Sequence, residues 1–330
     1  MKEVMVATTL CYQPCHRLLL VFVTVLTAGL LSAGPPKNAL RLERHEEGLL
    51  FIDKGQPVLF YQLAPKSLNG QSRRANYIHP LYGLDGEILT EDFPADHIHH
   101  RGVFWAWHQI LVRNHKISNS WLASNFLTRV IETKSISTDD GNVAAQVRSE
   151  WISPKLSNAT GKPQAFLEEI TVVLVHPSEE NLRKIDFVIH LNPLVDDLFI
   201  GGSENDKGYG GFSVRVRLPG DVRFLSSRGP LTPQRTALQA GPWIDLTASF
   251  STNGGQLAGI SILCHPSLPG FPQPWILRSS GSMQNPVWPG ANPAHLPRGK
   301  PLVLRYRLIV HRGDLTRDTL ERLHRSYGNE

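Results

Sequence analysis

Cysteine is scarce in this chain of 330 residues. There are three, and two of them, Cys11 and Cys15, stand near the N-terminus. A disulfide framework of the kind that staples small secreted domains is thereby excluded for the rest of the chain, because Cys264 has no second thiol to meet. Cys264 itself lies in the apolar run Ile260–Cys264 and reads as a small buried hydrophobe. Also missing are HExxH, CxxC, GxSxG, GxxxxGK[ST] and a GxGxxG that opens a helix. Standard zinc-protease, serine-hydrolase, P-loop and dinucleotide signatures are therefore absent. The net charge of +5 comes from 23 Arg and 11 Lys scattered among 29 acidic residues, with no basic block. Nucleic acid is not an expected partner. One long apolar run exists, Leu18–Leu31, and it is shorter than the roughly 20 residues that span a bilayer.

That run follows Lys2, His16 and Arg17 and precedes Ser32-Ala33-Gly34-Pro35-Pro36. A basic region, an apolar stretch and small residues in this order predict a signal peptide over residues 1–33. The mature chain is then expected to be exported, periplasmic or extracellular, touching a membrane only through this segment if it stays uncleaved. Asn158-Ala159-Thr160 fits the glycosylation sequon.

Period-two alternation dominates what remains. Leu167, Glu169, Thr171, Val173 and Val175 alternate with Glu168, Ile170, Val172 and Leu174. Comparable runs occupy 185–191, 212–218 and 302–310, with shorter ones at 48–53, 57–62, 102–112, 127–136, 143–151 and 257–264. Such runs are antiparallel strands with one buried and one wet face. The 24 Pro and 27 Gly suit many turns between them. One helix is expected, Asp314 to Tyr327, with Asp314 or Thr316 as cap. No linker interrupts the sequence. The expectation is an all-β chain: a single large antiparallel β-sandwich domain over 37–330 with a short C-terminal helix.

The chemistry concentrates in residues 92–108. Six of the fourteen histidines lie between His79 and His115, and Asp96, His97, His99, His100 and Arg101 are nearly contiguous. Imidazoles are acid–base groups and metal ligands, and Arg holds anions bidentately. Three readings stay open. A histidine could act as general base or acid beside Asp96, with Arg101 gripping substrate. His97, His99 and Asp96 could hold a divalent metal, although no cofactor is expected from the sequence. Or the rings could merely bond loop backbone. A second loop, Gly201–Gly211, carries Glu204, Lys207 and Tyr209 between flexible glycines. A third, from His265 to Trp288, sets Trp275 among prolines, where an aromatic face could stack on a sugar ring or wall a sheet edge.

Asn76-Tyr77-Ile78-His79-Pro80-Leu81-Tyr82, Asp96-His97-Ile98-His99-His100-Arg101-Gly102, Lys207-Gly208-Tyr209-Gly210-Gly211-Phe212 and His265-Pro266-Ser267 together resemble the secreted bacterial PmoA-like family. The resemblance runs over about residues 40–328, with Ile98 where members often have Pro. It implies a sugar-related role; the expected sandwich is of the kind seen in the galactose-mutarotase superfamily. It does not imply methane oxidation, which would need several membrane helices. The expected function is a carbohydrate-active enzyme, a lyase, epimerase or hydrolase acting on a sugar or uronic-acid derivative. His97, His99 or His100 would be the base, with Glu204 or Tyr209 the acid. His79, Tyr82, Asp96, Arg101, Lys207, Arg215, His265 and Trp275 would bind substrate. A non-catalytic glycan-binding module and a metal-dependent enzyme are the alternatives.

Overall fold

A computed structural model describes residues 39–250 and 256–330. The predicted signal peptide lies outside the described residues.

Strands build three main antiparallel sheets. Arg41–Arg44, Gly48–Asp53, Gln56–Gln62, Tyr77–Leu81, Val103–Ala106 and Gly211–Val214 pair in that order in a six-stranded sheet. A nine-stranded sheet runs in the order Leu127–Ser137, Val143–Ser157, Pro163–Val175, Leu182–Pro193, Leu302–Arg312, Ala258–Cys264, Trp243–Ala248, Arg223–Ser226 and Gly229–Leu231. Ala294–Leu296, Leu198–Gly201, Gln109–Val112 and His115–Ser118 form a four-stranded one. The described chain is all-β, as expected, and its large sheets share one core. Phe212 of the six-stranded sheet stacks on Tyr306 at 4.3 Å and meets Phe187 edge-on at 5.2 Å, both from the nine-stranded sheet. Aromatic pairs at these spacings add to the burial that holds the layers together.

Alternation sorts the faces as read. Leu167, Glu169, Thr171, Val173 and Val175 are buried, and Glu168, Ile170, Val172 and Leu174 are half-buried. Glu169 survives in the core because Asn76 Nδ2, Trp151 Nε1 and Thr171 Oγ1 donate to it at 2.7, 2.8 and 2.6 Å. Burial still pushes its carboxyl up.

One face expected to be wet is covered. Ile309 and Arg307 lie beneath the helix Arg317–Gly328, where Trp243, Leu263, Leu320 and Tyr327 complete a small second core. Thr316 caps that helix, accepting from the Thr319 N–H. The run 102–112 is not one strand. Val103–Ala106 belongs to the six-stranded sheet and Gln109–Val112 to the four-stranded one, so Trp107 and His108 sit at a crossing between sheets. Among the described residues no helix is long and apolar enough to cross a membrane.

Candidate functional site

The turn Pro94–Arg101 enters the six-stranded sheet. It closes through His97 N–H to Pro94 O and His100 N–H to His97 O, at 3.1 and 2.8 Å. Gly102 then passes so close to the next strand that a Cβ would lie 1.8 Å from Ile78 O, at φ +32°. Only glycine fits there.

Three buried arginines hold this turn. Arg74 donates to Ile98 O at 2.7 Å and His100 O at 3.2 Å. Arg101 donates to His99 O at 3.2 Å. Arg215 takes Asp96 bidentately at 2.7 and 3.0 Å, Glu91 at 2.8 Å, and faces His100 Nδ1 at 3.4 Å. Burial pushes the Asp96 carboxyl up, but hydrogen bonds from Arg215 and His97 outweigh it and hold the group well below the usual carboxylate range.

The imidazoles form a cluster. His97 stacks on His100 with centroids 4.6 Å apart, and His99 meets their edges at 5.7 and 4.7 Å. Burial, reinforced by His97 and Arg101, pushes His99 down to about 4. Burial and its neighbour imidazoles push His100 to about 2. Both rings are neutral bases at physiological pH. They differ in access: His100 is 2% exposed and pinned by Arg215, whereas the half-buried His99 ring has no hydrogen-bond partner among the described residues.

The loop Gly201–Gly211 brings the second set. Asn205 folds its side chain onto Lys207 N–H at 3.1 Å, and Ser203 N–H reaches Tyr209 O at 2.8 Å. Tyr209 rests edge-on against Trp121 and His108, each at 4.9 Å. Burial raises its phenol above the ordinary value, so it is a neutral proton donor.

Asp96, His97, His99, His100, Leu122, Lys207, Tyr209, Arg278 and the loop Ser280–Met283 line one cleft of about 380 Å³. Three other hollows, of about 480, 550 and 430 Å³, are larger. In the first two the titratable residues other than Arg73 are already paired, Arg74 with Asp92, Arg129 with Glu150, Arg223 with Asp314 and Asp245 with His311. A cluster of imidazoles facing a phenol is what distinguishes the cleft of His97, His99, His100 and Tyr209.

Several expected site residues lie elsewhere. Glu204 is exposed and paired with Lys116 at 2.8 Å. His265 belongs to the packing of the C-terminal helix, receiving Arg305 at 3.1 Å and standing edge-on to Tyr327 at 5.1 Å. Trp275 is fully buried with its indole N–H on Gly241 O at 2.8 Å, so it is core and no platform for a sugar. Tyr82 extends the strand edge through Val58. His79 bonds Thr90 at 3.0 Å, outside the cleft lining, and burial pushes it to about 4. Arg101 and Arg215 are buried supports that hold the turn, and neither lines the cleft. Among the described residues no three His, Cys, Asp or Glu side chains are arranged to hold a metal ion. Asp96, the third member of the expected metal set, is occupied by Arg215 and His97.

Residues 50–325 match the DUF6807 family, described as a family of unknown function. The chain belongs to that family. No curated protein matches it. In this DUF6807 chain the cleft is completed by residues that the sequence does not mark, Arg278 and the loop Ser280–Met283 among them. Arg278 follows an apolar run and opens a Ser/Gly loop, a weak local signal. Gly281 of that loop packs so tightly that a Cβ would lie 2.8 Å from Asp96 Oδ2. His108, stacked on Trp121 at 5.2 Å behind Tyr209, was visible as part of the histidine cluster but not as its outlier.

Proposed function

We propose that this chain is an exported carbohydrate-active enzyme in which His99 is the general base and Tyr209 the general acid, acting on a sugar or sugar acid. One observation carries the reading: a neutral imidazole and a neutral phenol, both without hydrogen-bond partners among the described residues, open onto the same cleft. Acid and base forms both ready at neutral pH are what proton abstraction with assisted departure of an oxygen requires. Low basicity is the cost of burying His99, and a negatively charged ligand would raise it. The leader-like N-terminus and the family resemblance support export and a sugar-related role. With Trp275 in the core, a binding module built on the proline-rich loop is the weaker reading.

The test is turnover on a panel of oligosaccharides and oligouronates. His99→Ala and Tyr209→Phe are each expected to lower kcat by about 100-fold or more, while ligand affinity stays within about twofold. Unchanged kcat in both variants refutes the assignment.

A further inference from the structure

The charge of the cleft points to a more specific ligand. Lys207 is half-buried, and its ammonium has no hydrogen bond or ion pair among the described residues. Arg278 spends its terminal nitrogens on the carbonyls of Gln234, Leu277 and Arg235, at 2.7, 2.7 and 2.9 Å, and meets no carboxylate. The acids nearby are committed elsewhere. Asp96 is held by Arg215 and His97, and Asp206 pairs with Arg235 at 2.8 Å. Beneath the histidine turn lies a further cation, Arg101, whose only acceptors are carbonyls and whose Nε has none. A partly desolvated cleft with two unneutralised cations attracts an anion, since the carboxylate in its lining, Asp96, is already held by Arg215 and His97.

We infer that the ligand is a uronate, with its carboxylate seated between Lys207 and Arg278. This rests on the sugar reading above and narrows it. It also names the acidic proton. A hydrogen on the carbon next to the carboxylate, C5 of a hexuronate, is acidified when cations neutralise the charge that spreads onto the carboxyl oxygens. His99 takes that proton, and the C5–H electron pair becomes the C4=C5 double bond. The C4–O4 bond breaks, and Tyr209 gives its proton to the departing oxygen. The proton on His99 passes to solvent, and the Tyr209 phenolate regains one from it. The products are an unsaturated uronate and a free hydroxyl, with no oxidant or reductant consumed.

The experiment is titration calorimetry of the whole protein with uronate trisaccharides of galacto, gluco and manno configuration. Their methyl esters, the matching neutral trisaccharides and citrate serve as comparisons. At least one uronate is expected to bind about tenfold or more tighter than its ester, and Lys207→Met to remove that advantage without changing neutral-sugar affinity. Ultraviolet absorbance of the new conjugated double bond should appear with that same uronate. Equal affinity for acid and ester, or a Lys207→Met protein that binds like wild type, overturns the uronate inference. In that case tight neutral-sugar binding leaves the sugar reading standing. Citrate bound as tightly as the uronate, and equally sensitive to Lys207→Met, keeps the anion seat and refutes the sugar. No binding by any probe refutes both.

Discussion

Arg101→Met should cost little stability and yet retune the cleft. Arg101 is 5% exposed, donates to His99 O and Ser120 O at 3.2 and 3.3 Å, and lies 4.6 Å over the Phe104 ring. It has no carboxylate partner, and burial together with the Arg74 guanidinium pushes it down to about 9. Burying such a charge costs several kcal/mol. Two charge-assisted hydrogen bonds at about 1.5–3 kcal/mol each and a cation–π contact of about 2 kcal/mol roughly offset that. Methionine keeps the length and the contact with Phe104 while removing both the penalty and the compensation. The net change in urea-unfolding free energy is expected to stay within about 2 kcal/mol, below the roughly 3–5 kcal/mol typical of breaking a buried ion pair. Removing a nearby positive charge favours protonation, so His99 should rise from about 4 by about one pH unit, read by NMR titration of its ring proton. A loss above about 4 kcal/mol, or a His99 titration that does not move, would refute the view of Arg101 as an uncompensated charge acting on the cleft.

Acid should destabilise the fold between about pH 6.5 and 4. Burial depresses His79, His99 and His108 to about 4, so each binds its proton more readily unfolded than folded. Their stabilising contribution is complete above the unfolded value and is lost as pH falls toward the folded one, by at most about 1.4 kcal/mol per histidine per pH unit before solvent screening. Urea midpoints measured across this window should fall, and a flat profile contradicts the burial argument. Glu169→Gln should lose about 2–4 kcal/mol in the same assay, because an amide N–H₂ would face the donors of Asn76, Trp151 or Thr171 inside the core. Near-neutral stability in that variant would show the network to be dispensable.

Alternation along 167–175 was legible because a one-residue step decides which side chain faces the core, and it grouped Glu169 with Leu167, Thr171, Val173 and Val175, the side that is buried. It was silent on what lies across a sheet. Arg215 and Arg307 alternate like wet residues, yet the histidine turn covers one and the C-terminal helix the other. Nor does period two say which sheet a strand joins, so the crossing at Trp107–His108 was invisible. The cleft was half readable. Asp96, His97, His99 and His100 cluster in sequence, and Lys207 and Tyr209 share a glycine-rich loop. Arg278 arrives from far along the chain with no local oddity to mark it. His265 and Trp275 misled because proline-fixed loops look alike whether they rim a site or wall a core.

His99 and His100, whose ring centroids lie 4.7 Å apart, cannot both carry a charge at ordinary acidity. A proton on either ring discourages one on the other, so the pair carries a single charge at most. On the uronate reading, one proton is therefore all that the pair can store before solvent must drain it.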